Sequence, residues 1–173
     1  MDAGTAAADR SHTKQDCIGE IVMLHRCIYV SKVSATIDND SLRGTLMRIA
    51  NTSYRKNKIA RLSGILLSID RQFMQILEGD NQTITALLGS IIGDDRHSDM
   101  AILEFIPTER RIFPEWSMKV APVRRSSSTA VEWGSNKITA GAILNLAKTV
   151  RAGLRAPGNS QALADMAEEV YID

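Results

Sequence analysis

The sequence of 173 residues has few of the features that mark secreted or membrane proteins. It has only two cysteines, Cys17 and Cys27, which is too few for a disulfide framework, and Cys27 lies in an apolar run where a small core residue is expected. No apolar stretch approaches membrane-spanning length. The N-terminus lacks the apolar core of a signal peptide. We therefore expect a cytoplasmic protein.

The sequence also lacks the usual marks of nucleic-acid-binding proteins, metalloproteins and enzymes. Its formal net charge is +1, which gives no electrostatic case for binding nucleic acid or an anionic membrane. His25 has no second ligand at metal spacing, so no metal site is expected. No nucleophile–base pair or phosphate-binding loop is present. What remains is an ordinary globular composition, with 44% hydrophobic and 24% charged residues, enough to bury a core.

Strand alternation and helical spacing predict the order β-α-β-β-α-β followed by a fifth strand. This is the α+β, ferredoxin-like arrangement, in which two helices cover one face of an antiparallel sheet. Residues 1–19 are small and polar, and we expect a disordered leader there. Residues 20–122 form the predicted domain. Residues 123–173 contain a Ser-rich linker and two amphipathic stretches, about 136–155 and 160–172, which we expect to form a helical hairpin on the second face of the sheet.

Several local boundaries follow from the same patterns. The first helix is predicted to run from about Ser41 to Ser53, with its N-cap at Asp38 or Asp40. The cationic cluster at residues 55–58 is interpreted as its solvated end. Glu78–Asn81 is predicted as a turn and the start of the second helix. Glu109–Arg111 is predicted as a solvated turn, and Trp116–Val120 as the fifth strand.

One strand carries a polar side chain where an apolar one is expected. Alternation puts Phe73, Gln75 and Leu77 on one face, and apolar residues on the other face indicate that both faces are covered. A buried amide without partners costs about 1–3 kcal/mol. Gln75 therefore lies at a sheet edge, or a polar group lies above it, and the ordinary alternative is an amide bonded to neighbouring backbone. Tyr29 is a second polar-tipped residue on a strand face, and the alternative for it is an ordinary half-buried aromatic.

Taken together and in order, several segments resemble a BLUF domain, the flavin-binding blue-light sensor, from about Met23 to Val120. The segments are Arg26–Ser31, Arg55–Asn57, Leu62–Leu67, Phe73–Gly79, Asp95–His97 and Arg111–Met118. The short helical tail also resembles that of single-domain BLUF proteins. The resemblance implies a photoreceptor rather than an enzyme. It also implies a flavin, usually FAD, held noncovalently between the two helices, and a photocycle without net chemistry.

The resemblance also implies roles for individual residues. Tyr29 matches the photoactive tyrosine of the family, Gln75 its switching glutamine, and Asn57 the asparagine that anchors a ring carbonyl. The remaining implied cofactor-binding residues are Ser31, Lys56, Arg96, His97, Trp116 and Met118. The family is known to exchange the last two, Trp116 and Met118, in and out of the pocket.

The chain departs from the family pattern in three places, and two rival functions remain open. Lys56 stands where a second Asn is common, Ser63 replaces the usual Thr, and the loop from Val33 to Ser41 is longer than in compact members. With FAD bound, the signal is expected to pass to an unidentified protein in trans or to the oligomeric state of a homo-oligomer. The rivals are a constitutive flavin-binding interaction module without a working photocycle and a small ferredoxin-fold enzyme.

Overall fold

The computed structural model describes residues 23–123 and 138–155. It confirms the predicted α+β, ferredoxin-like class. The elements in chain order are β1 (Leu24–Val33), α1 (Asn39–Ile59), β2 (Ser63–Ile69), β3 (Gln72–Asp80), α2 (Asn81–Ile92), β4 (His97–Pro107), β5 (Lys119–Pro122) and α3 (Ala140–Arg155). The predicted leader, the linker from residue 124 and the second tail helix lie outside the described residues.

The five strands form one sheet in the order β4-β1-β3-β2-β5. The pairs among β1 to β4 are antiparallel, as predicted. The fifth strand differs from the prediction in two ways. It begins at Lys119 rather than Trp116, and it runs parallel to β2, with Leu66 opposite Val120. The sheet is therefore mixed, and its two edges are β4 and β5.

A two-residue turn joins β2 and β3 into a hairpin. Asp70 and Arg71 both have positive φ, at 46° and 60°, as a type I′ turn requires, although neither is a glycine. The Arg71 guanidinium donates to the carbonyl oxygens of Ser34 at 2.9 Å and Ile37 at 2.6 Å. The hairpin tip thereby fixes the long loop that precedes α1.

Helices α1 and α2 cover one face of the sheet. Each begins at an aspartate N-cap, because the Asp38 side chain accepts from the backbone N–H of Ser41 and the Asp80 side chain accepts from that of Thr83. Helix α1 continues to Ile59, so the prediction that it ends near Ser53 was wrong. The helices pack on the sheet through apolar side chains that include Leu46, Ala50, Ile84 and Leu88.

Helix α3 covers the second face of the sheet, as the tail was expected to do. Its buried residues Ile143, Leu146, Ala147 and Val150 belong to the same core cluster as Ile28, Met74 and Ile76. Burying a side chain of this size contributes roughly 1.5–3 kcal/mol. β3 is thus packed between two layers, with α1 and α2 on one side and α3 on the other.

The described part of the chain contains no helix long and apolar enough to cross a membrane. Residues 23–123 and 138–155 also contain no cluster of three or more His, Cys, Asp or Glu side chains that could hold a metal ion.

Candidate functional site

A cavity of about 70 Å³ lies between the sheet and the α1–α2 layer. Four strand residues, two residues from each helix and several residues around the start of β4 and β5 line it. They are Tyr29, Ile49, Ser53, Leu66, Phe73, Gln75, Leu87, Ile91, Asp94, Arg96, His97 and Met118. Five of the residues predicted from the sequence meet here, namely Tyr29, Gln75, Arg96, His97 and Met118.

Tyr29 and Gln75 form a buried pair at the floor of the cavity. They are register partners across β1 and β3, and the Tyr29 hydroxyl donates a hydrogen bond to Gln75 Oε1. β3 is flanked by β1 and β2, so Gln75 is not at a sheet edge. Its Nε2 donates to the Met118 thioether at 3.6 Å. Because a thioether is a weak acceptor, the amide N–H groups are poorly satisfied.

The Tyr29 phenol is held in its protonated form. Burial raises its pKa above the usual value, and the charges of Asp94 and of the Cys27 thiolate that forms in alkali raise it further. At neutral pH the hydroxyl is therefore a hydrogen-bond donor, which fits its contact with Gln75 Oε1.

Two more buried polar atoms belong to predicted site residues and have no hydrogen-bond partner among the described residues. They are Ser31 Oγ and His97 Nδ1. The other ring nitrogen of His97, Nε2, lies 2.8 Å from the carbonyl oxygen of Ile91 at the end of α2. This contact orients the imidazole at the edge of the cavity. Unpaired buried polar atoms are uncommon in folded proteins, so each one points to a missing partner.

An ion pair closes the cavity next to His97. The Arg96 guanidinium donates to both carboxylate oxygens of Asp94. This hydrogen bonding lowers the pKa of Asp94 and raises that of Arg96. Sequence reasoning selected Arg96 and missed Asp94, although the charged run Asp94–Arg96 contains both.

Asn57 and Lys56 are neighbours in α1 with opposite exposures. Asn57 is 2% exposed, and its Nδ2 donates to the carbonyl oxygen of Ser117 at 3.0 Å. Lys56 is exposed to solvent. The cationic cluster is therefore not a solvated helix end throughout, since it contains a buried amide that reaches the segment before β5. Neither residue lines the cavity.

Trp116 and Met118 lie on opposite faces of the sheet. The Trp116 ring stacks on Phe113 with centroids 5.5 Å apart, in the cluster under α3, whereas Met118 contacts Gln75 in the cavity. In the predicted strand the two side chains would share one face. The segment is instead bent, because the Ser117 carbonyl is bonded to Asn57 and the Trp116 carbonyl accepts from Gly64 N at 2.8 Å.

Of two charged residues that sequence reasoning placed in turns, Glu78 is buried and Arg111 is half-buried. Glu78 lies within β3 with no exposed surface. Arg111 was predicted to be solvated but donates to Ser63 Oγ and to the carbonyl oxygens of Glu78 and Arg61. Glu78 directly follows the apolar run Ile76–Leu77, and this position could have indicated that it belongs to the strand.

The structure and the sequence are similar to those of several known proteins. The "BlsA ground state" structure superposes with a TM-score of 0.62 and 25% identity, over 78% of this chain and 89% of that one. A structure of Klebsiella pneumoniae BlrP1 with FMN and cyclic diGMP gives a TM-score of 0.51 and 30% identity, over 57% of this chain and 25% of that one. The photoactivated adenylate cyclase subunit beta of Euglena gracilis is 32% identical over 77 residues, which are 44% of this chain and 9% of the cyclase subunit.

The matches to BlrP1 and to the cyclase subunit thus span only a small part of those proteins. The profile of the BLUF family, described as sensors of blue-light using FAD, matches residues 24–119 of this chain. That is more than half of its 173 residues, and the chain therefore belongs to the BLUF family of flavin-binding blue-light sensors.

Proposed function

We propose that this chain is a blue-light photoreceptor that binds FAD noncovalently in the cavity under α1 and α2. The observation that carries this proposal is that two buried polar atoms of cavity-lining residues lack good partners: Gln75 Nε2 has only a weak acceptor, and His97 Nδ1 has no partner among the described residues. A third unpartnered atom, Ser31 Oγ, belongs to the residue paired with the lining Phe73. A flavin ring is flat and mostly apolar, and its polar edge offers acceptors and one donor. Such a ring fits a cavity with apolar walls and unsatisfied polar groups.

We assign the ring contacts to residues of four elements. Gln75 on β3 offers its amide N–H groups, and Ser31 on β1 and His97 on β4 offer their unpartnered atoms. Asn57 on α1 has a second amide hydrogen besides the one bonded to Ser117, and we assign it to a ring carbonyl. For Lys56, exposed, and Trp116, on the α3 face, the assignment rests on family resemblance alone.

The size of the cavity sets a condition on binding. At about 70 Å³ it is smaller than ordinary ligand pockets, which start at roughly 300 Å³. Ring binding therefore requires α1 and α2 to separate or their lining side chains to repack. The apolar walls supplied by Ile49, Leu87 and Ile91 allow such repacking without breaking hydrogen bonds.

Photochemistry is assigned to Tyr29 and Gln75. A bound flavin absorbs blue light and is a strong oxidant when excited. Tyr29, held protonated by burial, loses an electron most readily if its proton leaves at the same time, and Gln75 Oε1 already accepts that hydrogen. Gln75 then changes tautomer or rotates, so that its oxygen and nitrogen exchange environments. The return of both the electron and the proton to Tyr29 leaves no net chemical change and an altered hydrogen bond.

The output is proposed to pass through the sheet. Gln75 lies on the same strand as Met74 and Ile76, which contact the core cluster under α3. An altered amide on one face of β3 is therefore one residue away from the packing surface of the tail. We propose that the altered amide shifts the tail between two arrangements. The tail would then act as a self-association surface or as a surface for a partner protein in trans.

The test is an absorption measurement on the purified full-length protein. We expect a yellow protein that releases FAD, rather than FMN, on denaturation. Blue light should shift its flavin absorption slightly to the red, with reversal in darkness. A protein that cannot be loaded with any flavin would contradict the proposal, and a yellow protein without a light response would indicate a constitutive flavin module.

A further inference from the structure

Glu78 is a fully buried carboxylate on the opposite face of β3 from Gln75. Its Oε1 accepts from the backbone N–H of Ile112 at 2.6 Å, and its Oε2 accepts from that of Phe113 at 3.0 Å. Oε2 also accepts from Ser63 Oγ at 3.2 Å. A buried carboxylate is costly unless it is paired and hydrogen-bonded, and here every oxygen has a donor. The two backbone donors belong to the chain that leads from β4 to β5, whereas Ser63 is the first residue of β2.

Arg111 completes this cluster from the same connection. Its guanidinium donates to the carbonyl oxygens of Glu78 and Arg61, each at 2.6 Å, and to Ser63 Oγ at 2.9 Å. Burial lowers the pKa of Arg111, and the charge of Glu78 opposes that shift. Ser63 connects the two charged groups, since its hydroxyl accepts from Arg111 and donates to Glu78.

The segment anchored in this way ends at the cavity. We call residues 111–118 the β4–β5 segment. After Phe113 it places Trp116 on the α3 face, and it is then held by the hydrogen bond from Gly64 N to the Trp116 carbonyl at 2.8 Å. Gly64 has a φ of 154°, and a Cβ there would lie 1.9 Å from the Ile76 carbonyl oxygen, so no other residue fits without a backbone shift. Met118 then reaches Gln75.

We propose that Glu78 is a positioning residue for the light response, because it fixes the start of the β4–β5 segment so that Met118, and not Trp116, contacts Gln75. Anchoring Ile112 and Phe113 holds the Phe113 ring where Trp116 stacks on it. Without the anchor, the Phe113–Trp116 stack is released and Trp116 competes with Met118 for the cavity. This inference rests on the proposed role of Gln75, but its first test does not.

The first test follows Trp116 by ¹⁹F NMR in full-length protein carrying fluorotryptophan and Trp133→Phe, which leaves Trp116 as the only tryptophan. We expect one major resonance in this parent. In Glu78→Gln, where one backbone N–H faces an amide nitrogen instead of a carboxylate oxygen, we expect a second resonance and a lower population of the first. Glu104→Gln is the matched control, since it breaks the Arg26–Glu104 ion pair of 2.8 Å on the same sheet without touching the segment.

Arg111→Lys is the second variant, in case Glu78→Gln does not fold. It removes the forked contacts to Ser63, Glu78 and Arg61, and we expect the same second resonance. The proposal is overturned if the folded variants keep the single parent resonance, or if Glu104→Gln gives the second resonance as well. These NMR measurements need no flavin, so their outcome does not depend on whether the proposed photochemistry is correct.

A second readout connects the anchor to the light response. In flavin-loaded protein, we expect Glu78→Gln or Arg111→Lys to change the rate at which the red-shifted absorption decays in darkness, while Glu104→Gln leaves it at the parent rate. A purely structural role would lower the melting temperature of all three variants and leave the decay rate alike in all of them. That outcome would overturn the proposal.

Discussion

The Tyr29 hydroxyl donates to Gln75 Oε1 between two strands that pair in register, Tyr29 directly opposite Gln75. A pair of adjacent β residues is stiffer than a pair on loops, since nine register pairs from Leu24–Asp80 to Lys32–Gln72 hold β1 and β3 together. The backbones of Tyr29 and Gln75 therefore keep their relative position, and only the torsions of the Gln75 side chain are needed to turn its amide. In the proposed switch, the Gln75 amide therefore moves while the paired strands β1 and β3 stay in place.

The first prediction concerns the Tyr29 hydroxyl. Tyr29→Phe keeps the ring and its packing, so we expect the variant to bind flavin. The light-induced red shift should be lost, because no hydroxyl remains to release a proton to Gln75. Loss of the donor also leaves Gln75 Oε1 unsatisfied, which should lower the free energy of unfolding by about 1–3 kcal/mol. Light-minus-dark spectra and denaturant unfolding measure the two effects, and a normal photocycle would show that Tyr29 is only structural.

The second prediction separates Gln75 from Tyr29. Gln75→Leu removes the amide that is assigned to the ring. We therefore expect the dark absorption spectrum to move and the light-induced red shift to disappear. In Tyr29→Phe the dark spectrum should stay closer to that of the parent. Dark spectra of both variants, recorded at equal flavin occupancy, give the comparison. If the Gln75→Leu spectrum coincides with that of the parent, the amide does not contact the ring.

The third prediction uses the neighbours Asn57 and Lys56. Asn57→Ala removes a buried amide that holds the Ser117 carbonyl at 3.0 Å and is assigned to the ring. We expect weaker flavin retention on gel filtration and a loss of about 1 kcal/mol in stability. Lys56→Ala, one residue away, removes a side chain whose assignment to the flavin rests on family resemblance alone. Because Lys56 is exposed, we expect this variant to retain flavin like the parent, which makes it the comparison for Asn57→Ala. Equal retention by the two variants would refute the assigned ring contact of Asn57.

The fourth prediction is a loss of stability in alkali. Burial, followed by the charge of Glu104, raises the pKa of the Cys27 thiol from 9.0 to about 11. From pH 9 the unfolded chain releases this proton while the folded chain keeps it, so the free energy of unfolding falls until about pH 11. One proton corresponds to about 1.4 kcal/mol per pH unit. The raised pKa of Tyr29 adds a loss in the same direction at higher pH.

Denaturant unfolding at several pH values between 9 and 11 measures this loss. The Cys27→Ala variant provides the control. Its packing defect lowers stability at every pH, but the slope of stability against pH should be shallower than that of the parent. Parallel curves for the two proteins would show that the thiol ionises equally in the folded and unfolded chains.

The fifth prediction concerns the tail. If rotation of the Gln75 amide is transmitted through β3, amide hydrogen exchange in α3 should differ between light and darkness. Arg151 links α3 to the β4–β5 segment through its 2.8 Å ion pair with Glu115, so its part of the helix should respond most. Tyr29→Phe, illuminated in the same way, is the control for heating. Equal protection of α3 in both states, with equal oligomer size, would point to the α1–α2 side as the output.

Patterns within single elements were sufficient for most of the fold. Strict alternation gave the faces of β3, with Met74 and Ile76 opposite Phe73 and Leu77. These signals were reliable because each depends on one element packing against one layer. The hydrogen bond between Tyr29 and Gln75 did not follow from either strand alone, but both residues could be selected because each is a polar group on a buried face.

The errors lie where distant residues decide the local structure. The bend that separates Trp116 from Met118 depends on Asn57 and Gly64, which are far away in the sequence. Arg111 is half-buried because its guanidinium donates to Ser63 Oγ and to the carbonyl oxygen of Glu78. A segment of four strand residues, Lys119–Pro122, is also too short for alternation to locate its start. The bend, the contacts of Arg111 and the start of β5 cannot be read from any periodicity in residues 111–118.

The strand order has a consequence for the order in which the strands assemble during synthesis. The two edges of the sheet, β4 and β5, are also its last two strands in the sequence. A chain leaving the ribosome can therefore assemble the central β1-β3-β2 sheet first and add its borders afterwards, consistent with the vectorial folding of nascent chains. Tyr29 and Gln75 meet during the earlier stage, and Met118 arrives with the final strand. In each nascent chain, the Tyr29–Gln75 contact is thus expected to form before Met118 reaches Gln75.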